Sequence, residues 1–597
     1  MPRTSYSTTT VATNPAKTLH HRIKILRNVV FILLAIILVR LFFIQIIEHD
    51  AWLAKADEEH TLLETIVAKR GEIYMMDDGE PVAVALNQTT YNVIIDPSVT
   101  DREGIAHALT TYAEDYITVD LNEVYNTEGL RYSIVAKNIP RTAADKIAEE
   151  NLSAVWFQPN NQRVYPEGEM ASGLLGFVNS DGLGQYGVEG SLNDILSGKD
   201  GLLKATADVN KVALSIGNDN TKIPAENGQN VVLTVDRGLQ LGLEEVAANT
   251  VASTIATNAA ALVMDSNTGE VLAMVNVPTY NPGDYGNVTD ASAYTNYVTD
   301  VPFEPASVCK NFAFSAAINE GVMTPETTYF NQGYEIIDGW KINNAEQRES
   351  LYGTINMRTA LNWSLNTGSI YALKLLGGNP SSITQAGREK LYDYYYNKFR
   401  LGQPTGIEIM EEIGFIPDPN EGWGRDSVYA NMTFGQNLNL TMLQVTTAFS
   451  AVVNGGTYRT PTIVEGTLTN GELTPAARTD AVEDKILSDD TSATMRDLLI
   501  YNRTSKRNNG IDQPGYAIGG KSGTAQVIKN GAYDDTMSET VGTYIGFVGP
   551  EGELPKYTIM VKIWAEGRHL DGTTNAGNLF DSMSNYVINY LKIKPGV

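Results

Sequence analysis

The sequence predicts an α+β protein held at a membrane by a single N-terminal helix. Three observations support this. An apolar run at residues 28–47 is broken only by Arg40. Short apolar runs closed by turn residues recur through residues 48–228. Beyond them, strand pairs with hairpin signals alternate with helical patterns, the mark of antiparallel sheet packed against helices.

At about 1.5 Å per residue the apolar run covers roughly 30 Å, the hydrocarbon thickness of a bilayer. Arg3, Lys17, Arg22, Lys24 and Arg27 precede it with no acid, and Glu48, Asp50, Asp57, Glu58 and Glu59 follow. This asymmetry makes 1–27 a cytoplasmic tail and 28–47 a transmembrane anchor, with everything after residue 47 outside the cytoplasm. A cleaved signal peptide is the competing reading, since Ala54-Lys55-Ala56 loosely resembles a cleavage site. The apolar run is longer than a signal core of about 7–15 residues. Arg40 lies near its outer end, where it snorkels or meets a partner helix.

Residues 91–95 and 154–157 read as strands, and 101–112 and 143–151 as helical patches, so 48–228 is an extended β-rich module with helical insertions. The character changes near residues 227–236. A strand at 231–235 precedes a helical pattern at 239–251. Two apolar runs within 260–278 then flank the hairpin signal Ser266-Asn267-Thr268-Gly269. Helical segments dominate 307–376 and 441–453. Strands return at 517–528, 542–548 and 557–564, and a last helix at 579–591 packs back on their sheet.

Composition narrows the function. Apolar residues make up 43% and charged residues 19%, which excludes a disordered, collagen-like or polytopic membrane chain. The net charge of −26 excludes a general nucleic-acid binder. Cys309 is the one cysteine, so neither an intrachain disulfide nor a thiolate metal cage forms. Five of the six histidines precede residue 110, which leaves His569 alone for the C-terminal half and argues against a Ser-His-Asp triad or a zinc peptidase site.

Three short motifs follow in order. In Ser307-Val308-Cys309-Lys310, after the helix-start signal Glu304-Pro305, Ser and Lys at i and i+3 share a helix face. A serine hydroxyl needs a base to become a nucleophile, and a buried lysine beside a second cation is such a base. Position i+2 points about 200° away, so Cys309 reads as a packing residue. Ser364-Leu365-Asn366 places a hydroxyl and a carboxamide two apart; alone it reads first as a helix cap, and Ser191-Leu192-Asn193 repeats it. Lys521-Ser522-Gly523-Thr524 offers a cation and two hydroxyls to a carboxylate beside a close-approach glycine; the alternative is a plain turn entering a strand.

Taken together, the three motifs are those of penicillin-binding proteins and serine β-lactamases. The wider sequence resembles class B penicillin-binding proteins over nearly the whole chain from the anchor onward: "AKRGEIYMMDDG" at 68–79, "GVEGSLNDILSGKDG" at 187–201, "TGEVLAMVNVPTYNP" at 268–282, "FEPASVCK" at 303–310, "FGQNLNLTMLQVTTAFSAVVNGG" at 434–456 and "GGKSGTAQV" at 519–527. The resemblance implies a pedestal at 48–228 and, at 229–597, a penicillin-binding transpeptidase domain: an antiparallel sheet flanked by helices plus an all-helical subdomain. It implies a peptidoglycan D,D-transpeptidase that crosslinks stem peptides ending in D-Ala-D-Ala, is inhibited by β-lactams, and needs no cofactor or metal. In it Ser307 is the nucleophile and Lys310 its base. Ser364, hydrogen-bonded between Lys310 and Lys521, passes a proton to the departing D-alanine, and Asn366 holds a substrate amide. Ser522 and Thr524, beside Gly523, bind the terminal carboxylate, with Lys521 supplying field. The N–H groups of Ser307 and Thr524 form the oxyanion hole. A membrane-embedded glycosyltransferase and division proteins are the implied partners, with a septal role favoured over elongation. A D,D-carboxypeptidase, a β-lactamase-like enzyme and a non-enzymatic scaffold are the other readings. Ala306 stands where glycine is usual in the family, and Ser522 where threonine is commoner.

Overall fold

The computed structural model describes residues 15–52, 55, 61–206, 221–479, 481–507, 512–529, 532–533 and 536–596. The first fourteen residues of the tail, the acids at 57–59, and Ala54 and Ala56 of the cleavage-like triplet lie outside them. The chain divides into two units, Met1–Ala68 with Lys199–Glu226, and Lys69–Gly198 with Asn227–Val597.

In the first unit a helix, Pro15–Phe42, runs on through a wider π turn, Phe43–Ile47. Its stretch His20–Ile47 contains an 18-residue window with a mean hydropathy of 2.9 and is the one helix among the described residues long and apolar enough to cross a membrane. The Arg40 guanidinium stands 3.7 Å from the Glu48 carboxylate, so the cation in the apolar run has a partner two turns further along the chain. The unit also contains an antiparallel sheet of Thr61–Ile66, Gly201–Thr206 and Thr221–Ile223.

The second unit contains two large sheets. One has the order Glu472–Pro475, Val464–Thr469, Asn230–Asp236, Ile73–Asp77, Glu80–Ile95, Ser133–Ile139, with Val155–Val164 also paired to Glu80–Ile95. Asn230–Asp236 lies parallel to Ile73–Asp77 on one side and antiparallel to Val464–Thr469 on the other. Helices Arg102–Tyr112 and Arg141–Glu149 cover part of this sheet through a core around Ile105, Leu109 and Ile147.

Beside this sheet lies a buried ion cluster. Glu189 is fully buried; its carboxylate accepts from Arg70 Nε at 2.7 Å and Arg163 Nε at 2.6 Å. Arg163 also donates to Gly71 O and Asn87 Oδ1, and Arg70 to Asn193 Oδ1. The second Ser-Leu-Asn triplet is therefore structural: Asn193 holds Arg70, and Ser191 Oγ accepts from Met410 N at 2.8 Å.

The other sheet has five antiparallel strands in the order Val271–Val277, Asn258–Asp265, Tyr557–Trp564, Thr540–Pro550, Tyr516–Gln526. Strand side chains alternate faces, and both faces here are buried. Ala259, Ala261 and Val263 pack with helices Arg237–Ser253 and Asn575–Tyr590, whereas Ala260, Leu262 and Met264 enter the larger core with Lys310–Asn319 and Met442–Val453. Asp236 caps Arg237–Ser253 by accepting from Leu239 N at 2.8 Å.

Within the region 307–376 the helices are joined by hairpins the sequence did not show: Thr328–Asn331 pairs with Gly353–Asn356, and Tyr334–Ile337 with Trp340–Asn343, between the helices Lys310–Asn319 and Met357–Asn362. Gly333, Asp338, Gly339 and Gly353 take positive φ there, which turns the chain into hairpins where a helix would need αR.

Lys562, on the central strand, is a buried cation among rings, with Nζ 4.3 Å from the Phe303 centroid and 4.7 Å from that of Trp564. Burial pushes its pKa down from 10.5 to about 7. Between these values the unfolded chain holds the proton and the folded chain does not, so stability rises with pH across the window. The penalty is fully present below about pH 7 and is on the order of 5 kcal/mol. Lys562→Met should therefore raise the melting temperature at pH 7, with a gain that shrinks toward pH 10. Equal melting temperatures at pH 7 would contradict this.

Candidate active site

The segment that carries Ser307 is fixed before its helix begins. Phe303 and Leu440 exchange backbone hydrogen bonds at 2.9 Å, and Ala306 N donates to Gly435 O at 3.2 Å. Ala306 has φ +55°, a left-handed conformation that costs a residue with a Cβ roughly 1–2 kcal/mol. A glycine there would avoid that strain. Ala306–Cys309 then forms a 3₁₀ turn that continues as the helix Lys310–Asn319. With about three residues per turn, i and i+3 align, so Ser307 and Lys310 lie on one line. Ser307 is half-buried and Lys310 fully buried. Cys309 points into the core, where burial pushes its thiol pKa up; its carbonyl accepts from Tyr395 Oη at 3.4 Å.

Lys310 Nζ meets the second motif. It donates to Ser364 O at 2.5 Å, Ser364 Oγ at 3.1 Å and Asn366 Oδ1 at 2.8 Å. Ser364 sits between helices Met357–Asn362 and Asn366–Leu376 with φ +54°, and this strained turn presents its carbonyl and hydroxyl to one ammonium. Asn366 Nδ2 donates to Asn343 O at 2.8 Å, which orients its amide oxygen toward Lys310. Asn343 ends the strand Trp340–Asn343 of the hairpin block.

The third motif lies on Tyr516–Gln526, at the end of the five-stranded order. Lys521 is buried, and its Nζ donates to Ser522 O at 2.8 Å. Gly523 makes the approach to the nucleophile segment possible: a Cβ there would stand 2.7 Å from Pro305 O and 2.5 Å from Thr543 Oγ1. Two neighbours were missed from sequence. Gly572 N donates to Thr524 Oγ1 at 3.0 Å, and Thr573 Oγ1 to Ser522 Oγ at 3.3 Å. The Asp571-Gly572 turn signal was visible, but nothing in the sequence placed it against residues fifty positions earlier. His569 bonds through Nδ1 with Thr540 Oγ1 and Met537 O, tethering a loop.

The structure thus joins Lys310, Ser364 and Asn366 by direct hydrogen bonds, sets Ser307 one turn before Lys310, and packs the Lys521–Thr524 strand against the same segment through Gly523.

Comparison with known proteins identifies the family. Residues 259–584 match the family model for the penicillin binding protein transpeptidase domain, and residues 65–233 that for the penicillin-binding protein dimerisation domain. Penicillin-binding protein PbpB of Mycobacterium tuberculosis is 30% identical over 452 residues, 71% of this chain and 61% of the relative's length. Peptidoglycan D,D-transpeptidase FtsI of Escherichia coli is 28% identical over 73% of this chain and 71% of its own. Probable peptidoglycan D,D-transpeptidase PenA of Neisseria gonorrhoeae is 25% identical over 96% and 93%. Penicillin binding protein 3 of M. tuberculosis, solved with aztreonam, shares the fold at TM-score 0.65 and 24% identity, covering 89% of this chain and 98% of that one. The chain belongs to the penicillin-binding proteins and contains their dimerisation and transpeptidase modules.

Proposed function

We propose that the chain is a peptidoglycan D,D-transpeptidase acting through an acyl-serine at Ser307. The observation that carries this is the seating of Lys310 Nζ among Ser364 and Asn366, one turn after Ser307. In its unprotonated form Lys310 takes the Ser307 proton as Oγ attacks the carbonyl between the last two D-alanines. The C–N bond breaks, and the proton reaches the departing amine through Ser364. Asn366 holds a substrate amide, and Ser522, Thr524 and the field of Lys521 hold the terminal carboxylate. Backbone N–H groups of Ser307 and Thr524 receive the oxyanion, where one such donor contributes about 3–4 kcal/mol. The amine of a second stem peptide then attacks the ester, loses a proton and frees Ser307. Because Tyr516–Gln526 ends its sheet, its outer edge suits an extended peptide added as a further strand.

The organisation that goes with this is a cytoplasmic tail at 1–27, an anchor at 28–47, a pedestal at 48–228 and a transpeptidase domain at 229–597. The cations before the apolar helix and the acids after it support a catalytic part outside the cytoplasm. Relatives named FtsI and stage V sporulation protein D support a role at a division septum, with a membrane-embedded glycosyltransferase and division proteins as partners.

The test uses the full-length protein in detergent with uncrosslinked glycan strands bearing D-Ala-D-Ala stems. Crosslinks and free D-alanine should appear together, and penicillin should block both. D-alanine release without crosslinks would make it a carboxypeptidase, and neither product would sink the enzymatic reading.

A further inference from the structure

Glu304 lies three residues before Ser307 and is given no part in the chemistry above. Its Oε1 accepts two hydrogen bonds at 2.8 Å, from Asn437 N and from Tyr533 Oη. Its Oε2 is buried with no partner among the described residues. Burial raises the carboxyl pKa above its usual range, against the opposing pull of the two hydrogen bonds.

The partners come from two different segments. Asn437, at φ +61°, lies between Gly435 and Leu440, the two residues whose backbones bond Ala306 and Phe303. Its Nδ2 reaches Tyr533 Oη at 3.3 Å and its Oδ1 accepts from Asn431 at 2.8 Å. Tyr533 belongs to the strand Ala532–Tyr533, paired with Ile528–Lys529 just beyond the strand of Lys521 and Thr524. One carboxylate oxygen therefore joins the nucleophile's lead-in segment, the chain beside it, and the hairpin after the edge strand.

A buried carboxylate with an unsatisfied oxygen is a poor stabiliser. An apolar residue of similar length often does as well or better. The placement makes sense if the group serves geometry. We propose that Glu304 is a positioning residue that ties the lead-in segment of Ser307 to residues 435–440 and to the Tyr533 hairpin, and so fixes how the Ser307 hydroxyl is presented. This rests on Ser307 being the acylated residue.

The experiment uses full-length protein and benzylpenicillin. It separates non-covalent affinity from the first-order acylation rate, and follows melting temperature alongside. Glu304→Met should leave the melting temperature unchanged or raise it and change affinity by less than about threefold. Its acylation rate should fall about tenfold or more, a barrier increase of about 1.4 kcal/mol. Glu304→Gln keeps an acceptor oxygen and should recover most of the rate. Tyr533→Phe should slow acylation in the parent and add nothing in Glu304→Met, the coupling expected of groups acting through one another. An unchanged rate in Glu304→Met overturns the proposal. So does a melting temperature that falls together with the rate, or full additivity of the two substitutions. A parent that forms no adduct at Ser307 overturns the functional reading, and this proposal with it.

Discussion

Benzylpenicillin should add one adduct to the full-length protein, absent from Ser307→Ala and formed about 10³-fold more slowly in Lys310→Met. A positioned general base contributes about 10²–10⁴ in rate, and the middle of that range applies because neither Cys309 nor His569 is placed to substitute. The Cys309 thiol is buried in the core with its pKa pushed up, so it supplies no thiolate. His569 is bound to Thr540 and Met537. Methionine keeps the unbranched stem of Lys310 but removes the donor that serves Ser364 O, Ser364 Oγ and Asn366 Oδ1, so Ser364 also loses its relay partner. Intact-mass spectrometry over a time course reads the result. An adduct surviving Ser307→Ala would move the nucleophile elsewhere, and a Lys310→Met rate within tenfold of the parent would remove lysine as the base.

The largest stability effect is expected at Glu189, far from the chemistry. Glu189→Gln should cost about 3–5 kcal/mol, because it leaves the buried Arg70 and Arg163 without their countercharge. Breaking such a cluster is much worse than never having it. Replacing Glu189, Arg70 and Arg163 together by apolar residues of similar volume should recover a large share of the loss. Thermal unfolding of the parent, the single and the triple variant decides this. A single-variant loss below about 1 kcal/mol would mean that water already screens the cluster.

The strands of the central sheet were legible because apolar runs between turn signals are a local property. The sequence places one at 557–564, and the structure has Tyr557–Trp564. The helix read at 239–251 emerges as Arg237–Ser253, with Asp236 as a cap that local spacing supports. The hairpins between 328 and 356 were not legible. Their four-residue strands are too short for hydrophobic periodicity to register, and the Asp338-Gly339 hairpin signal between Ile337 and Trp340 stands alone among them. At the site, the residue types and their order could be read, but the means of bringing them together could not. The absence of a Cβ at Gly523 matters because Thr543 Oγ1 and Pro305 O lie 2.5 and 2.7 Å from where it would be, the second a contact across more than two hundred residues. Likewise "AKRGEIYMMDDG" and "GVEGSLNDILSGKDG" looked like family text without chemistry until Arg70 and Glu189 met in space.

Asn230–Asp236 runs between Ile73–Asp77 and Val464–Thr469, so the border at residue 228 falls at the base of a strand bonded on both sides. A recombinant fragment starting at residue 229 would lose one of those neighbours. Val231, Leu233 and Val235, buried in the intact chain, would lie on a newly open edge that invites pairing with another copy. The same seam constrains exchange between genes. A crossover that brings in a foreign N-terminal half must also bring a strand able to bond this one in parallel.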